Sequence, residues 1–480
     1  MLPLKRVRWS SRFSEWFRDV LLRAEVMDYR YPIKGCGVWL PYGFKLRRNV
    51  FDILRNLLDS TGHQEVQFPL LIPETSLSKE SAHVKSFESE CFWVTYGGST
   101  PLNVRYALRP TSETAIGPML KLWIRSHKDL PITSYQIVNI FRYETKATRP
   151  LIRMREVTTF KEAHTAHATA EEAEKQVEIA VSVYKKFFDS VGVPYLVSRR
   201  PNWDRFAGAE YSIAFDTVCP DGRTLQIGTV HNLGQNFSKA FEITYENVRG
   251  EREYVWQTCY GISERAIASI IAVHGDDNGL VLPYNVAPIQ TIVVPIPYKG
   301  KEEAIIKTAK NVARDLEEVN VRVRLDDREE MTPGSKFYYW ELRGVPVRVE
   351  VGPVDVEEGS VTVVRRDTLE RTRCGLDEVT RVLPEVGRQM MVDLSSRSWD
   401  WMKKHVHLVD SSEGAVKVVE ERAGVAQAPW CGSERCGREI EERIDVRVLG
   451  TPLDEEASVE GYCIMCGEKA SQLVRLARAY

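Results

Sequence analysis

Apolar residues recur every three or four positions over residues 10–25, where Phe13, Trp16, Phe17, Val20 and Leu21 mark one face of an amphipathic helix. A second stripe, Leu46, Val50, Ile53 and Leu57, starts after the break at Trp39-Leu-Pro-Tyr-Gly43 and stops at Gly62, a residue suited to ending a helix. The period then changes. Glu65–Ile72 reads as an extended apolar run interrupted by Pro69. Ile137–Phe141 is another, and after Arg149-Pro150 the chain returns as a second extended segment, which predicts two antiparallel strands joined by a cationic loop. Between Tyr106 and Leu122 the chain becomes helical after Arg109-Pro-Thr-Ser-Glu113, where Thr111 or Ser112 with Glu113 has the look of a cap. Thr169-Ala-Glu-Glu172 is a capping box opening a helix to about Ser190. From Tyr195 to Tyr254 strand-like runs alternate with Gly and Pro turns, the pattern of an antiparallel sheet.

The Gly-, Asp- and Pro-rich stretch 274–288 closes this region, and from Ile289 strands alternate with helices. Thr291–Ile296 is β-branched, and Lys301–Glu318 carries Ile305, Ala309, Val312 and Leu316 on one face. Val319–Leu325, Val345–Val351 and Ser360–Arg366 alternate as strands, giving a small mixed α/β unit. Three units are expected: an α+β unit over 1–285 built on an antiparallel sheet, an α/β unit over 286–395, and a small α+β unit over 396–480.

Composition narrows the class. The 480 residues are 43% hydrophobic and 28% charged, which excludes a disordered chain and suits several cores. The net charge of −2 means that any nucleic-acid contact must come from local patches. Met1–Trp9 lacks the apolar core of a signal peptide, and no run approaches the roughly 20 apolar residues of a membrane span, so a cytoplasmic protein is expected. Of nine cysteines, four gather at Cys431, Cys436, Cys463 and Cys466. Two close pairs can give four thiolates to a tetrahedral ion, Zn²⁺ ahead of iron, with disulfides or free thiols as alternatives. Four protein ligands leave no open position, so the metal would be structural.

Candidate chemistry concentrates in Phe141–His164. Arg142 suits a phosphate, Glu144 an exocyclic amine and Phe160 a base, although a surface hairpin with solvated charges fits the same residues. Gln226 and Gly228 share one strand face, while Thr229 and His231 fall on the other unless a bulge near Gly228 brings them together. Arg265 heads the apolar helix Ala266–Val273, and an arginine buried there needs an anionic partner.

Phe141-Arg-Tyr-Glu144 with its loop and returning arginines resembles motif 2 of the class II aminoacyl-tRNA synthetases. Arg109-Pro-Thr-Ser-Glu113, Lys146-Ala-Thr-Arg-Pro150 and Glu162-Ala-His-Thr-Ala-His167 extend the resemblance to the prolyl-tRNA synthetases of the archaeal and eukaryotic type. The helix and strand before Ile72 resemble motif 1, which implies a homodimer. Gly261-Ile-Ser-Glu-Arg265 resembles motif 3. The α/β unit is similar to a class IIa anticodon-binding domain at Asp326–Phe337 and Trp340–Pro353. It departs at Val354, where relatives often carry a basic residue, leaving Glu341, Arg343 and Arg348 as candidate contacts to tRNA that could equally be solvated surface charges.

The resemblance implies a class II catalytic fold, and a reaction in which ATP activates proline as prolyl-adenylate before transfer to tRNA(Pro). It implies that Arg142 and Arg265 are catalytic, holding the α- and γ-phosphates. Thr111, Glu113, Arg142 and His231 would bind proline. Glu144, Phe160, Gln226, Thr229 and Ser263 would bind ATP with the two arginines, and Mg²⁺ would accompany ATP near Gln226. Lys146, Arg149 and Arg153 would meet the tRNA acceptor end, and Tyr480 would fold back toward the catalytic unit. The 60 or so residues between His164 and Gln226 leave no room for the editing insertion of bacterial-type relatives. Competing readings are a non-catalytic paralogue that binds an amino acid or tRNA as a regulator, and a zinc-ribbon RNA-binding protein.

Overall fold

Both amphipathic patterns at the start of the chain form helices, α1 (Phe13–Arg23) and α2 (Pro41–Asp59). In α2 the buried stripe is Leu46, Val50, Leu54 and Leu58, so Ile53 and Leu57 lie at its margin, half-buried. The computed structural model describes residues 7–78, 90–421, 424–454 and 459–480; the reading of Met1–Trp9 lies largely outside them. The run Glu65–Ile72 is not one strand. Gln64–Glu65 (β1) and Leu71–Pro73 pair in different sheets. Between them the Phe68 N–H is taken by the Gln136 side chain at 2.9 Å, and Pro69 has no N–H to offer.

The central scaffold is a sheet of β2 (Ile132–Phe141), β3 (Glu156–His167), β4 (Leu196–Arg199), β5 (Tyr211–Val218), β6 (Thr224–Gly234) and β7 (Trp256–Ser263). β2 starts earlier than its apolar run indicates because Ser134 and Gln136 are polar yet buried against other polar groups. One face packs on α1, α2, α4 (Ala170–Ser190) and α5 (Arg265–His274) through a continuous apolar core that includes Phe17, Val50, Tyr184, Phe215 and Ile267. Thr169 caps α4 by accepting the Glu172 N–H at 3.2 Å, and the Glu172 carboxylate reaches back to the Ala168 N–H at 3.0 Å. The opposite face, closed at one end by α3 (Glu113–Trp123), is left for chemistry.

A second sheet, of order β9-β8-β10-β11-β12, contains β8 (Thr291–Pro295), β9 (Val323–Leu325), β10 (Val347–Val351), β11 (Ser360–Arg365) and β12 (Arg371–Gly375). α6 (Glu302–Glu318) lays Ile305, Ala309, Val312 and Leu316 on it. The expected boundary at residue 395 falls inside a long helix, α7 (Val379–Lys403).

The last strands, β13 (Val406–Leu408), β14 (Val425–Trp430), β15 (Arg447–Pro452) and β16 (Gln472–Ala477), extend the central sheet. Thr451 and Pro452 of β15 pair with Arg199 and Ser198 of β4, making one sheet of order β13-β14-β16-β15-β4-β5-β6-β7-β3-β2-β1. Arg475 seals this seam. It is fully buried, pairs with Asp454 at 2.8 Å and donates to the Val197 carbonyl at 3.1 Å, so its charge is neutralised where it is desolvated.

Candidate functional site

The free face of β2–β7, the N-terminus of α3 and the loop 142–155 enclose a cavity of about 410 Å³. Its walls include Thr111, Glu113, Arg142, Glu144, Arg153, Phe160, Gln226, Thr229, His231, Ser263 and Arg265, so the candidates for proline and ATP converge on one space.

At one end the residues before α3 do not act as a cap. Ser112 occupies the cap position without a capping hydrogen bond; its hydroxyl turns to Glu162, and Gln136 Nε2 donates to both at 3.0 and 2.9 Å. Thr111 Oγ1 donates to Glu113 Oε2 at 2.5 Å. Opposite them, His231 stacks on Phe206 with ring centres 4.8 Å apart, and its Nδ1 is 2.7 Å from Ser212 Oγ. Burial drives the His231 pKa down to about 4, so this imidazole is neutral at physiological pH.

His231 shares a cavity face with Gln226 and Thr229 because β6 is bulged. Phe215 stands opposite Gly228 and Asp216 opposite Gln226, which leaves Ile227 without a partner. Leu225, Ile227 and Val230 point into the core, and the parity change sends Gln226, Thr229 and His231 to the cavity. The irregularity expected near Gly228 is therefore one residue before it.

At the other end three guanidiniums meet. Arg142 Nε donates to the Pro110 carbonyl at 3.1 Å, and Arg265 Nε donates to the Ile152 carbonyl at 2.7 Å. The turn carrying Arg153 is closed by reciprocal 2.8 Å backbone bonds between Arg149 and Arg153. Burial first, then repulsion from Arg142 and Arg153, lowers the Arg265 pKa to about 10. Phe160 lies on Gly261, where an added Cβ would come 3.0 Å from the ring, so glycine admits the aromatic edge. Next to Arg265, Glu264 takes the Thr158 N–H and hydroxyl on one oxygen at 3.2 and 3.0 Å. Its other oxygen is buried with no hydrogen-bond partner among the described residues, and burial raises its pKa to about 7.

Glu162 and Glu264, which stand inside the motifs without a role of their own, line the cavity together with Phe206, Cys259 and the buried Arg200–Asp216 pair at 2.9 Å, to which no local pattern pointed. Their sequence signal is ordinary. Only the fold collects them.

Other candidates lie elsewhere. Lys146 is exposed on the loop. Arg149 lies 4.8 Å over the Tyr480 ring, and Tyr480 reaches the cavity wall. In the second sheet, Arg348 is buried, donates to Glu341 at 2.7 Å and Glu350 at 3.0 Å, and stacks on Phe337. A guanidinium so engaged holds Glu341 in place and is buried and paired within the unit, where the sequence had suggested a tRNA contact or a solvated charge. Arg343 is likewise buried, paired with Glu25 and stacked 3.4 Å from Tyr339.

Cys431, Cys436, Cys463 and Cys466 bring their sulfurs within 4.8 Å of one another, and none forms a disulfide. Burial raises the Cys463 thiol, but backbone N–H groups of Cys466, Met465 and Cys431 outweigh it and bring it to about 7. Four convergent sulfurs in N–H-rich turns fit a closed tetrahedral metal site.

Family models match along the chain: "tRNA synthetase class II core domain (G, H, P, S and T)" over residues 92–274, "Anticodon binding domain" over 290–386, and "Prolyl-tRNA synthetase, C-terminal" over 412–480. The proline--tRNA ligase of Methanopyrus kandleri is 56% identical over 468 residues, covering 98% of this chain and 96% of its own. That of Metallosphaera sedula is 52% identical over the full length of both chains. Among solved structures, Giardia lamblia prolyl-tRNA synthetase in complex with prolyl-adenylate superposes with a TM-score of 0.95 at 37% identity, covering 98% of each chain. The Cryptosporidium parvum enzyme complexed with halofuginone and AMPPNP gives 0.95 at 32% identity, covering 99% of each.

Proposed function

The chain belongs to the prolyl-tRNA synthetase family and is a proline--tRNA ligase with a class II catalytic core, and from that premise we propose which residues perform each step. The observation that carries the assignment is the convergence of Arg142, Arg153 and Arg265 on one cavity opposite Glu113 and His231. Three buried or half-buried cations need a polyanion, and the far wall offers acceptors for an ammonium.

Proline binds at the α3 end. Its secondary ammonium carries two N–H donors, which suit the Glu113 carboxylate and the Thr111 hydroxyl. Neutral His231, oriented by Ser212 and Phe206, packs on the other side of the ring. ATP binds at the other end, its adenine on Phe160 with Glu144 accepting from the exocyclic amine, and its phosphates reaching Arg142, Arg265, Thr229 and Ser263.

The proline carboxylate is already a nucleophile, so the first step needs alignment and charge stabilisation more than a base. The carboxylate oxygen attacks the α-phosphorus, the bond to the bridging oxygen breaks, and pyrophosphate leaves. Arg142 meets the charge that develops on the α-phosphate, and Arg265 holds the departing γ-phosphate. Gln226 and Glu264, whose unpartnered buried oxygen fits a cation, would hold Mg²⁺, which would supply charge neutralisation to the triphosphate. In the second step a terminal ribose hydroxyl of tRNA(Pro) takes the prolyl group from AMP. Lys146, Arg149 and Arg153 surround the entry for the acceptor end, and that affinity falls with salt. The second sheet is the anticodon-binding unit, with Glu341 held at its edge by Arg348. The four cysteines would hold a structural Zn²⁺.

The protein works as a homodimer in the cytoplasm. Leu70, Leu71, Leu122 and Trp123 are exposed apolar residues near the motif 1 strands, the kind of surface a second copy covers. Among the described residues no helix is long and apolar enough to cross a membrane. Proline-dependent exchange of pyrophosphate into ATP tests the assignment: it is expected in the native protein and lost in Arg142→Ala, and exchange retained in that variant would overturn it.

A further inference from the structure

Cys259 of β7 is the register partner of His231 on β6 and of His164 on β3, so three potential metal ligands stand in a row across the sheet. Directly opposed residues on neighbouring strands have Cβ atoms about 4.5–5.5 Å apart and share a face, which here walls the cavity. Glu113, at the head of α3, meets this row from the side. One ligand atom each of Glu113, His164 and Cys259 lies within 4.8 Å of the other two. All three residues are buried, at 6% exposure or less, so the donors are held by the fold.

A carboxylate oxygen, an imidazole nitrogen and a thiolate sulfur are the donor types that zinc takes, and three protein ligands leave one position open. His164 Nε2 also lies 3.4 Å from Glu162 Oε2, a carboxylate partner of the kind that orients metal-bound imidazoles. The proposed reaction steps use neither His164 nor Cys259. We propose that Glu113, His164 and Cys259 bind one Zn²⁺ or Co²⁺ ion at the floor of the amino-acid end, and that this ion and proline exclude each other. Metal binding replaces the Cys259 thiol proton, which leaves to solvent, and no oxidation state changes. The exclusion, though not the metal site, rests on the placement of proline against Glu113.

Equilibrium dialysis of the full-length protein against Co²⁺ counts the site by difference between native protein, Cys259→Ser and His164→Asn, whatever the four-cysteine cluster holds. The expected result is one equivalent more in the native protein than in either variant, with a sulfur-to-cobalt charge-transfer band that saturating proline removes. In turnover, Zn²⁺ should raise KM for proline at least about tenfold with kcat unchanged. Equal Co²⁺ uptake by all three proteins would overturn the site. An extra equivalent that depends on Cys259 but resists proline would overturn the exclusion and the placement of proline on Glu113, leaving the metal site standing.

Discussion

The Tyr480 hydroxyl donates to the Asp221 carboxylate across 2.6 Å, and the Tyr480 N–H donates to the Thr224 carbonyl at 3.0 Å, so the last residue is laid along the start of β6. Its ring packs 6.4 Å from Phe13 and lies under Arg149. The end of the chain thereby supports the loop that carries Arg149 and Arg153.

Tyr480→Ala should leave the fold intact and slow aminoacylation several-fold. The cation–ring contact and the hydrogen bond are each worth about 1 kcal/mol, enough to loosen Arg149 without removing it. Single-turnover transfer to tRNA(Pro) measures this, and an unchanged rate would dismiss the supporting role.

Arg142→Ala and Arg265→Ala should each slow adenylate formation by at least roughly 10²-fold. Both side chains face the cavity, so thermal unfolding should stay close to that of the native protein. Pyrophosphate exchange measured beside circular dichroism separates lost chemistry from lost fold.

Cys431→Ser or Cys466→Ser should cost one equivalent of Zn²⁺ per chain and destabilise the carboxyl-terminal unit, because a closed four-thiolate site contributes folding free energy directly. Catalysis should fall only indirectly. Metal analysis of the purified proteins decides, and a native protein free of metal would refute the ligand set.

His63, His167, His231 and His274 are all held by burial at pKa values of about 4, below the 6.5 of a free imidazole. A depressed folded pKa means that the unfolded chain takes up protons first as the pH falls. Stability is therefore full above pH 6.5 and is lost down to about pH 4. Glu264, raised to about 7, has the opposite sign: its contribution is full below about 4.5 and is lost on the way up to 7. His164, which Glu162 and Glu113 hold above the usual imidazole range against its burial, and Asp189 and Asp216, raised by burial, share the sign of Glu264, so the test reads the acid loss of one depressed histidine at a time. Near pH 5 the slope from one such histidine is about 1.4 kcal/mol per pH unit. His274 donates from Nε2 to the Val191 carbonyl at 2.9 Å, which glutamine can replace. Urea unfolding of His274→Gln at pH 7 and pH 5 should show a smaller acid loss than in the native protein.

Residues 165–225 are filled by the end of β3, α4, β4, a short 3₁₀ turn and β5, with no inserted domain. A pocket that fits the proline ring discriminates against smaller side chains by only about 1–3 kcal/mol per methylene lost. The enzyme should therefore activate alanine or cysteine measurably and leave alanyl-tRNA(Pro) intact. Deacylation of preformed alanyl-tRNA(Pro) above the spontaneous rate would reveal a hydrolytic site.

The sequence by itself determined the elements whose faces are uniformly apolar or clearly capped. α1, α4 and α6 lie where the three-and-four spacing, Thr169 and the Ile305–Leu316 stripe put them, because burial of a helix face selects residues locally. Arg142, Glu144 and Arg265 could be singled out because their motifs are contiguous in the chain, and all three line the cavity. Only tertiary structure decided the rest. Ser134 and Gln136 are polar inside a strand because their partners, the His164 carbonyl and Glu162, come from the next strand. The extra residue at Ile227, which turns Gln226 to the side of Thr229 and His231, is defined only by pairing with β5. Arg348 looked like a surface cation, yet Glu341 and Glu350 neutralise it in a buried position, and a charge's solvent exposure is not written in its neighbours along the chain. The row of His231, Cys259 and His164 is likewise a property of register between strands far apart in sequence, set by hydrogen bonds that no local pattern encodes.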